Sequence, residues 1–269
     1  MNRRGLIALC VLAALALLAL AAPWISPYSH DFIDWRHQAA SPQLADSHWL
    51  GTDRLGRDLF ARGMQALRVS LLIGCVAALV SVVIGVAWGS VAGYIGGKLD
   101  SAMMRFVDIV YALPYVFIVI IFSTMFERGS LAALVIAIGA VGWLTIARIV
   151  RGQTLSLRRR EFIDAAIVSG VRTPQILWRH IVPNVAGPVI AYATLTIPQM
   201  ILFESFLSFL GLGVQEPFAS LGSLITEGAQ EMESSPWMLL VPATLLTVML
   251  VSFNLLGDSL RARLESRDG

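Results

Sequence analysis

Between residues 69 and 97 the chain carries no charged side chain, and the same holds for 5–22, 109–126, 129–147, 181–203 and 234–257. A helix rises 1.5 Å per residue, so about 20 apolar residues cross a hydrocarbon core of roughly 30 Å. Six runs near or above that length predict an all-α integral membrane protein with six transmembrane helices. Composition agrees: 14% of residues are charged and mean hydropathy is +0.72, against roughly one-quarter charged residues in a soluble domain. Cys10 and Cys75 both lie in these runs, where a cysteine reads as a small buried hydrophobe rather than a metal ligand or half of a disulfide.

Charge between the runs sets the orientation. With the amino terminus inside, the inner segments collect Arg3, Arg4, Lys98, Arg105, Arg148, Arg151, Arg158, Arg159, Arg160, Arg172, Arg179, Arg261, Arg263 and Arg267, fourteen of the 20 basic residues. The positive-inside rule selects that arrangement, with both termini cytoplasmic. Arg3 and Arg4 before a run ending Ala19-Leu20-Ala21 also fit a secretory signal. The run is longer than the usual signal core of about 7–15 residues, and its cleavage would leave the remaining topology unchanged. The chain then divides into 1–68, a first span with an extracytoplasmic loop, and 69–269, a five-helix core.

In that outer loop, 51–68 reads as a surface helix, with Asp53 as its cap and Asp58 and Arg62 four apart on one face. Asp53 and Asp58 alone are too few oxygen ligands for a calcium loop.

The stretch 148–180 is the longest inner loop, and its sequence punctuates itself. Ser156 is placed to cap a helix ending near Ser169, Gly170 suits the left-handed position after it, and Thr173-Pro174 opens a second helix. That helix must stop or kink at Pro183. Two helices about a glycine turn with nearby arginines also describe a DNA-binding helix-turn-helix, but this unit is tethered to spans at both ends and has no third helix, so no nucleic acid is expected. A purely solvated connector explains the arginines and leaves the small patch Asp164-Ala165-Ala166 unexplained.

Asp164-Ala165-Ala166, then Gly170, then Val182-Pro183 resembles the EAA loop of bacterial ABC importer permeases, at matching spacing. The chain departs with Asp164 for Glu, Val182 for Leu and His180 for Ile, a place that Ile181 could take. GTDRLGRDLF, ARIVRGQTLSLRRREFI, ESFLSFLGLGVQEP and NLLGDSLR resemble the dipeptide, oligopeptide and nickel branch of that family. FESFLSFLGLGVQEP and SPWMLL are most similar to its C-type oligopeptide permeases. The resemblance implies the type I importer permease fold in the bacterial inner membrane. In it the 148–180 loop is a coupling helix that docks on an ATPase through Asp164, Ala165, Ala166, Gly170 and Pro183. It also implies a second permease as heterodimer partner, two cytoplasmic ATPase subunits, an extracytoplasmic solute-binding protein and a peptide substrate. A nickel or small-solute permease, or a membrane scaffold that only recruits a cytoplasmic partner, are the alternatives.

The chain itself is not expected to be an enzyme or to hold a cofactor or metal. Ala92-Gly93-Tyr94-Ile95-Gly96-Gly97-Lys98-Leu99 has Ala and Leu where a phosphate loop needs Gly and Ser or Thr. None of the four histidines accompanies a nucleophile motif such as G-x-S-x-G. Charges at the ends of spans are functional candidates because an ionised group in hydrocarbon costs at least ~2.5 kcal/mol. Arg105 and Asp108, three apart, are expected to pair with each other. Glu204 has no basic neighbour in sequence and is the candidate to line a pathway, in a span bent by Pro188 and Pro198.

Overall fold

The computed structural model describes residues 2–125 and 130–268. Its helices are α1 (Arg3–Ile25), α2 (Leu59–Ile95), α3 (Gly97–Ala112), α4 (Tyr115–Met125), α5 (Leu131–Leu157), α6 (Glu161–Val168), α7 (Thr173–Ile176), α8 (Val182–Phe209), α9 (Leu221–Gln230) and α10 (Trp237–Asp268), with a π-helical turn over Leu177–Ile181. Among the described residues, five stretches are long and apolar enough to cross a membrane: Arg3–Ile25, Leu59–Ile95, Leu131–Leu157, Thr173–Phe209 and Trp237–Arg263.

The third expected span, 109–126, is not one helix. Pro114 lacks an N–H and disfavours helical geometry at the residue before it, and Leu113 is extended at φ −76°, ψ 140°. The chain therefore breaks between the amphipathic α3, which carries Asp100, Arg105 and Asp108, and the uncharged α4. The end of that run and the start of the next, at 126 and 129, lie outside the described residues. Helices α3 and α4 together make the return between α2 and α5, which are parallel. Gly85 lies against Ile146, Gly89 against Val150 and Gly93 against Thr154, so the two helices advance together and the chain between them must return across the same depth.

Helix α2 is central, touching α5, α8, α1 and α10. Its contact with α5 is close because Gly85, Gly89 and Gly93, spaced by four, present no side chain on that face. A Cβ on Gly89 would stand 2.8 Å from Val150 Cβ and 2.9 Å from the Arg151 nitrogen, and one on Gly93 would stand 2.8 Å from the Arg151 oxygen. Small residues at such a seam let backbones approach where lipid offers no hydrophobic drive for association. Ser81 donates to the Ala77 carbonyl at 2.8 Å and reaches the Gly139 carbonyl of α5 at 3.3 Å. Helices α1 and α10 lie together beside α2, where Leu12, Ala19, Met64, Leu67 and Met249 are buried. Cys10 and Cys75, expected to be buried, are exposed on the faces of their helices.

Of the separate surface helix expected at 51–68, residues 51–58 are not helical, and the rest is the first turns of α2, which begins at Leu59 and runs on through residue 68. Its cap is Asp58, whose side chain accepts from the Ala61 N–H at 2.8 Å, not Asp53. Asp108 is paired, but with Arg148 of α5 at 2.8 Å rather than with Arg105. Arg151 likewise makes a two-pronged contact with Asp100 at 2.5 and 2.7 Å. Helix α3 is thereby clamped along the C-terminal half of α5.

Candidate functional site

Helix α6 begins after Arg160, which caps it in extended geometry with no side-chain bond, and Glu161 and Asp164 in its first turn complement its amino-terminal dipole. The expected cap at Ser156 is absent, because α5 continues through Leu157. Helix α6 ends in a Schellman motif: the Gly170 N–H bonds the Ile167 carbonyl at 2.9 Å and the Val171 N–H the Ala166 carbonyl at 3.1 Å. Gly170 has φ +77°, as the turn requires.

Three residues apart, Ile163 and Ala166 face inward and are buried against Tyr94, Val150, Ile176, Ile181 and Val185. Ala166 therefore does not belong to the exposed patch that its sequence neighbours suggest. Asp164, Ala165, Ile167 and Val168 face out, Val168 with 89% of its surface exposed. Such an apolar tip at the end of a short helix has no covering element among the described residues.

Pro183 neither stops the chain nor begins a new helix. The Val182 N–H reaches back five residues to the Leu177 carbonyl, so the ladder widens into a π turn just before the proline. The Asn184 side chain donates to the His180 carbonyl at 2.7 Å, supplying a donor in the turn where Pro183 has none. Ile181, fully buried, takes the core position, while His180 lies beside Phe162 at 6.4 Å between ring centres.

At the opposite end, Asp53 accepts from Arg57 Nε at 2.6 Å and from Arg62 Nη1 at 2.5 Å. Arg62 continues to Glu227 of α9 at 2.7 and 3.1 Å, and Arg57 to Glu216 at 2.8 Å. Burial disfavours the Arg57 charge, but its bonds to Glu216 and Asp53 outweigh this and raise its pKa above the ordinary guanidinium value. Trp237 Nε1 donates to the Thr52 carbonyl at 3.3 Å, so the 52–62 and 216–237 segments form one surface.

Glu204 is fully buried. It accepts from Ser70 of α2 at 3.2 Å and from Ser208 at 2.7 Å. Ser208 is 3.1 Å from Ser220, the cap of α9, and the Leu221 N–H donates to Ser70 at 3.1 Å. Although Glu204 has no basic neighbour in sequence, Ser208 one turn on is a local hydrogen-bond partner. An open cavity of about 300 Å³ between α3, α5 and α8 is lined by Tyr111, Thr145, Thr196, Gln199, Met200 and Phe203 among others, and Glu204 is not in its wall.

Residues 85–267 match the family model described as binding-protein-dependent transport system inner membrane component, and residues 1–42 match that of the N-terminal TM domain of oligopeptide transport permease C. The chain is 48% identical to the oligopeptide transport system permease protein OppC of Haemophilus influenzae, covering 99% of this chain and 86% of that one. It is 51% identical to OppC of Escherichia coli, over 99% and 88%, and 40% identical to the dipeptide transport system permease protein DppC of Bacillus subtilis, over 99% and 82%. Among solved structures, the inward-facing methionine ABC transporter MetNI superposes with a TM-score of 0.61 at 20% identity, over 75% of this chain and 95% of that chain.

Proposed function

Since the chain belongs to the binding-protein-dependent transport system inner membrane components, we propose that it is the permease of an ATP-driven importer of peptides and forms half of the translocation path. The observation that carries the coupling part of this reading is the α6 tip. A short helix seated on Tyr94 and Val150 through Ile163 and Ala166 turns Asp164, Ala165, Ile167 and Val168 outward. This is a protruding knob suited to a cleft in a cytoplasmic ATPase, with Gly170 and Pro183 shaping its two flanks. Two ATPase subunits, a second permease and an extracytoplasmic solute-binding protein complete the proposed assembly. The outer surface that joins 52–62 to 216–237 is where the binding protein would deliver solute. The peptide reading follows the names carried by the relatives. Within the half-path we place the cavity bearing Tyr111, Thr145, Thr196 and Gln199 on the solute side. Glu204 serves it indirectly, holding α9 to α2 and α8.

Gly170→Val tests the coupling role. A Cβ at Gly170 meets no atom within 4 Å, so the cost is conformational, roughly 1–2 kcal/mol for a left-handed residue, and falls on the turn beside the knob. In the assembled complex, uptake of labelled tripeptide and its stimulation of ATP hydrolysis should fall several-fold while the chain still inserts normally. Unchanged uptake and stimulation would reduce the loop to a connector.

The proposed orientation has both termini, α6 and the α3 end of the bundle inside. It is checked with an impermeant thiol reagent on intact cells, in a chain lacking Cys10 and Cys75. Cysteines at Ala45 and Ser234, both exposed, should label directly, and one at Ser156 only after the membrane is opened. The reverse pattern would invert the topology.

A further inference from the structure

We propose that Asp34, His37 and His48, in the segment between α1 and α2, form a binding site for a divalent transition-metal ion of the zinc class. One ligand atom from each lies within 4.8 Å of the others. Asp34 Oδ2 is 2.8 Å from His37 Nδ1 and 3.7 Å from His48 Nε2. Ligand atoms at about 2.1 Å from a tetrahedral zinc are separated by roughly 3.4 Å, so these atoms converge at the right scale.

The outer side of each imidazole is occupied by a carboxylate. His48 Nδ1 is 3.0 Å from Asp58 Oδ2, and His37 Nε2 is 3.3 Å from Asp46 Oδ2. A ring that donates outward to a carboxylate turns its other nitrogen inward as a lone pair, as metal-bound histidines do. The ion pair of His37 with Asp34 by itself leaves one fact unexplained. His48 is fully buried, and its Nε2 has no hydrogen-bond partner, an exception that native interiors rarely leave without a reason. That atom points into the cluster.

The scaffold around the three is fixed. Tyr28 stacks on His48 at 4.3 Å and its hydroxyl donates to the Asp46 carbonyl at 2.7 Å. Asp34 Oδ1 is taken by the Arg36 N–H at 2.9 Å, while Oδ2 faces His37 Nδ1 at 2.8 Å, the contact an ion would replace. Asp58 uses Oδ1 to cap α2 and Oδ2 for His48, so an ion here ties the loop to the start of α2. Two imidazoles and one carboxylate select zinc-like ions over calcium or magnesium, and three protein ligands leave a fourth position for water. The sequence does not announce this site, because His48 comes eleven residues after Asp34-x-x-His37, outside familiar zinc spacings. The proposal is independent of the transport reading.

The test uses the full chain in detergent, lacking Cys10 and Cys75, stripped with a chelator and titrated with cobalt and then zinc. One equivalent of cobalt should produce a visible ligand-field band that zinc removes. Asp34→Asn and His37→Gln, at partly exposed positions that tolerate exchange better than buried His48, should each weaken cobalt binding at least tenfold. His30→Gln should not. A folded parent chain that shows no band at one equivalent, or binding unaltered in both variants, would overturn the site.

Discussion

A Gly89→Leu chain should insert in the membrane and then fail to hold α5 against α2. The Cβ alone would be driven against the Ala147 carbonyl and to within 2.8 Å of Val150 Cβ. Backbone atoms cannot rotate away as side chains can. Overpacking of this kind costs typically 1–3 kcal/mol, and with the rest of a leucine added we expect about 3 kcal/mol or more. The damage should travel, because Val150 is also part of the floor on which Ile163 and Ala166 of α6 sit. Thermal unfolding of the purified chain in detergent reads the first effect and peptide-stimulated ATP hydrolysis by the assembled complex the second. Gly152→Leu is the control, since a Cβ there meets no atom within 4 Å. Equal melting of the two variants would mean that the glycine seam is not what joins these helices.

Asp53→Ala should be the other severe change. Arg57 and Arg62 share this carboxylate, and the side chains of Arg62 and Asp53 are 4% and 2% exposed. Removing one partner of a buried charge cluster leaves the others uncompensated, at a cost of about 3 kcal/mol. Arg62 would retain Glu227, and Arg57 would retain Glu216, which keeps the estimate at the lower end of the range. Moderate salt should change the loss little, because buried pairs are poorly screened. Arg54→Ala offers the contrast: Arg54 is 70% exposed and 3.5 Å from Glu231, and such surface pairs are worth ~0–1 kcal/mol. If the two variants melt together, the cluster is not what holds the 52–62 segment to 216–237.

The six apolar runs and the arginines between them were enough to establish a multi-pass helical membrane protein. Hydrophobic length and charge placement are properties of the chain that the bilayer reads directly. Gly170 was legible for a similarly local reason, since a left-handed turn after a short helix makes its demand at one residue. The spacing of Ala165 and Ala166 identified the loop but not the direction each faces, because that depends on where Tyr94, Val150 and Ile181 arrive from other helices. Pro183 suggested a stop or a kink, and a π turn with the Asn184 side chain carries the helix past it. Charge partners were the least legible. Asp108 chose Arg148 over Arg105, and Arg62 chose Asp53 and Glu227 over Asp58, since an ion pair forms wherever packing delivers the opposite charge. Glu204 drew attention as a lone carboxylate, and only the meeting of α2, α8 and α9 supplied Ser70 and brought Ser220 beside Ser208. The sequence by itself therefore determined the solvent and the turn chemistry, which are set within one segment. The glycine seam, the charge cluster around Asp53 and the convergence of Asp34, His37 and His48 were decided by tertiary structure, because each joins residues that only the packed helices and the loop folded over them bring within reach.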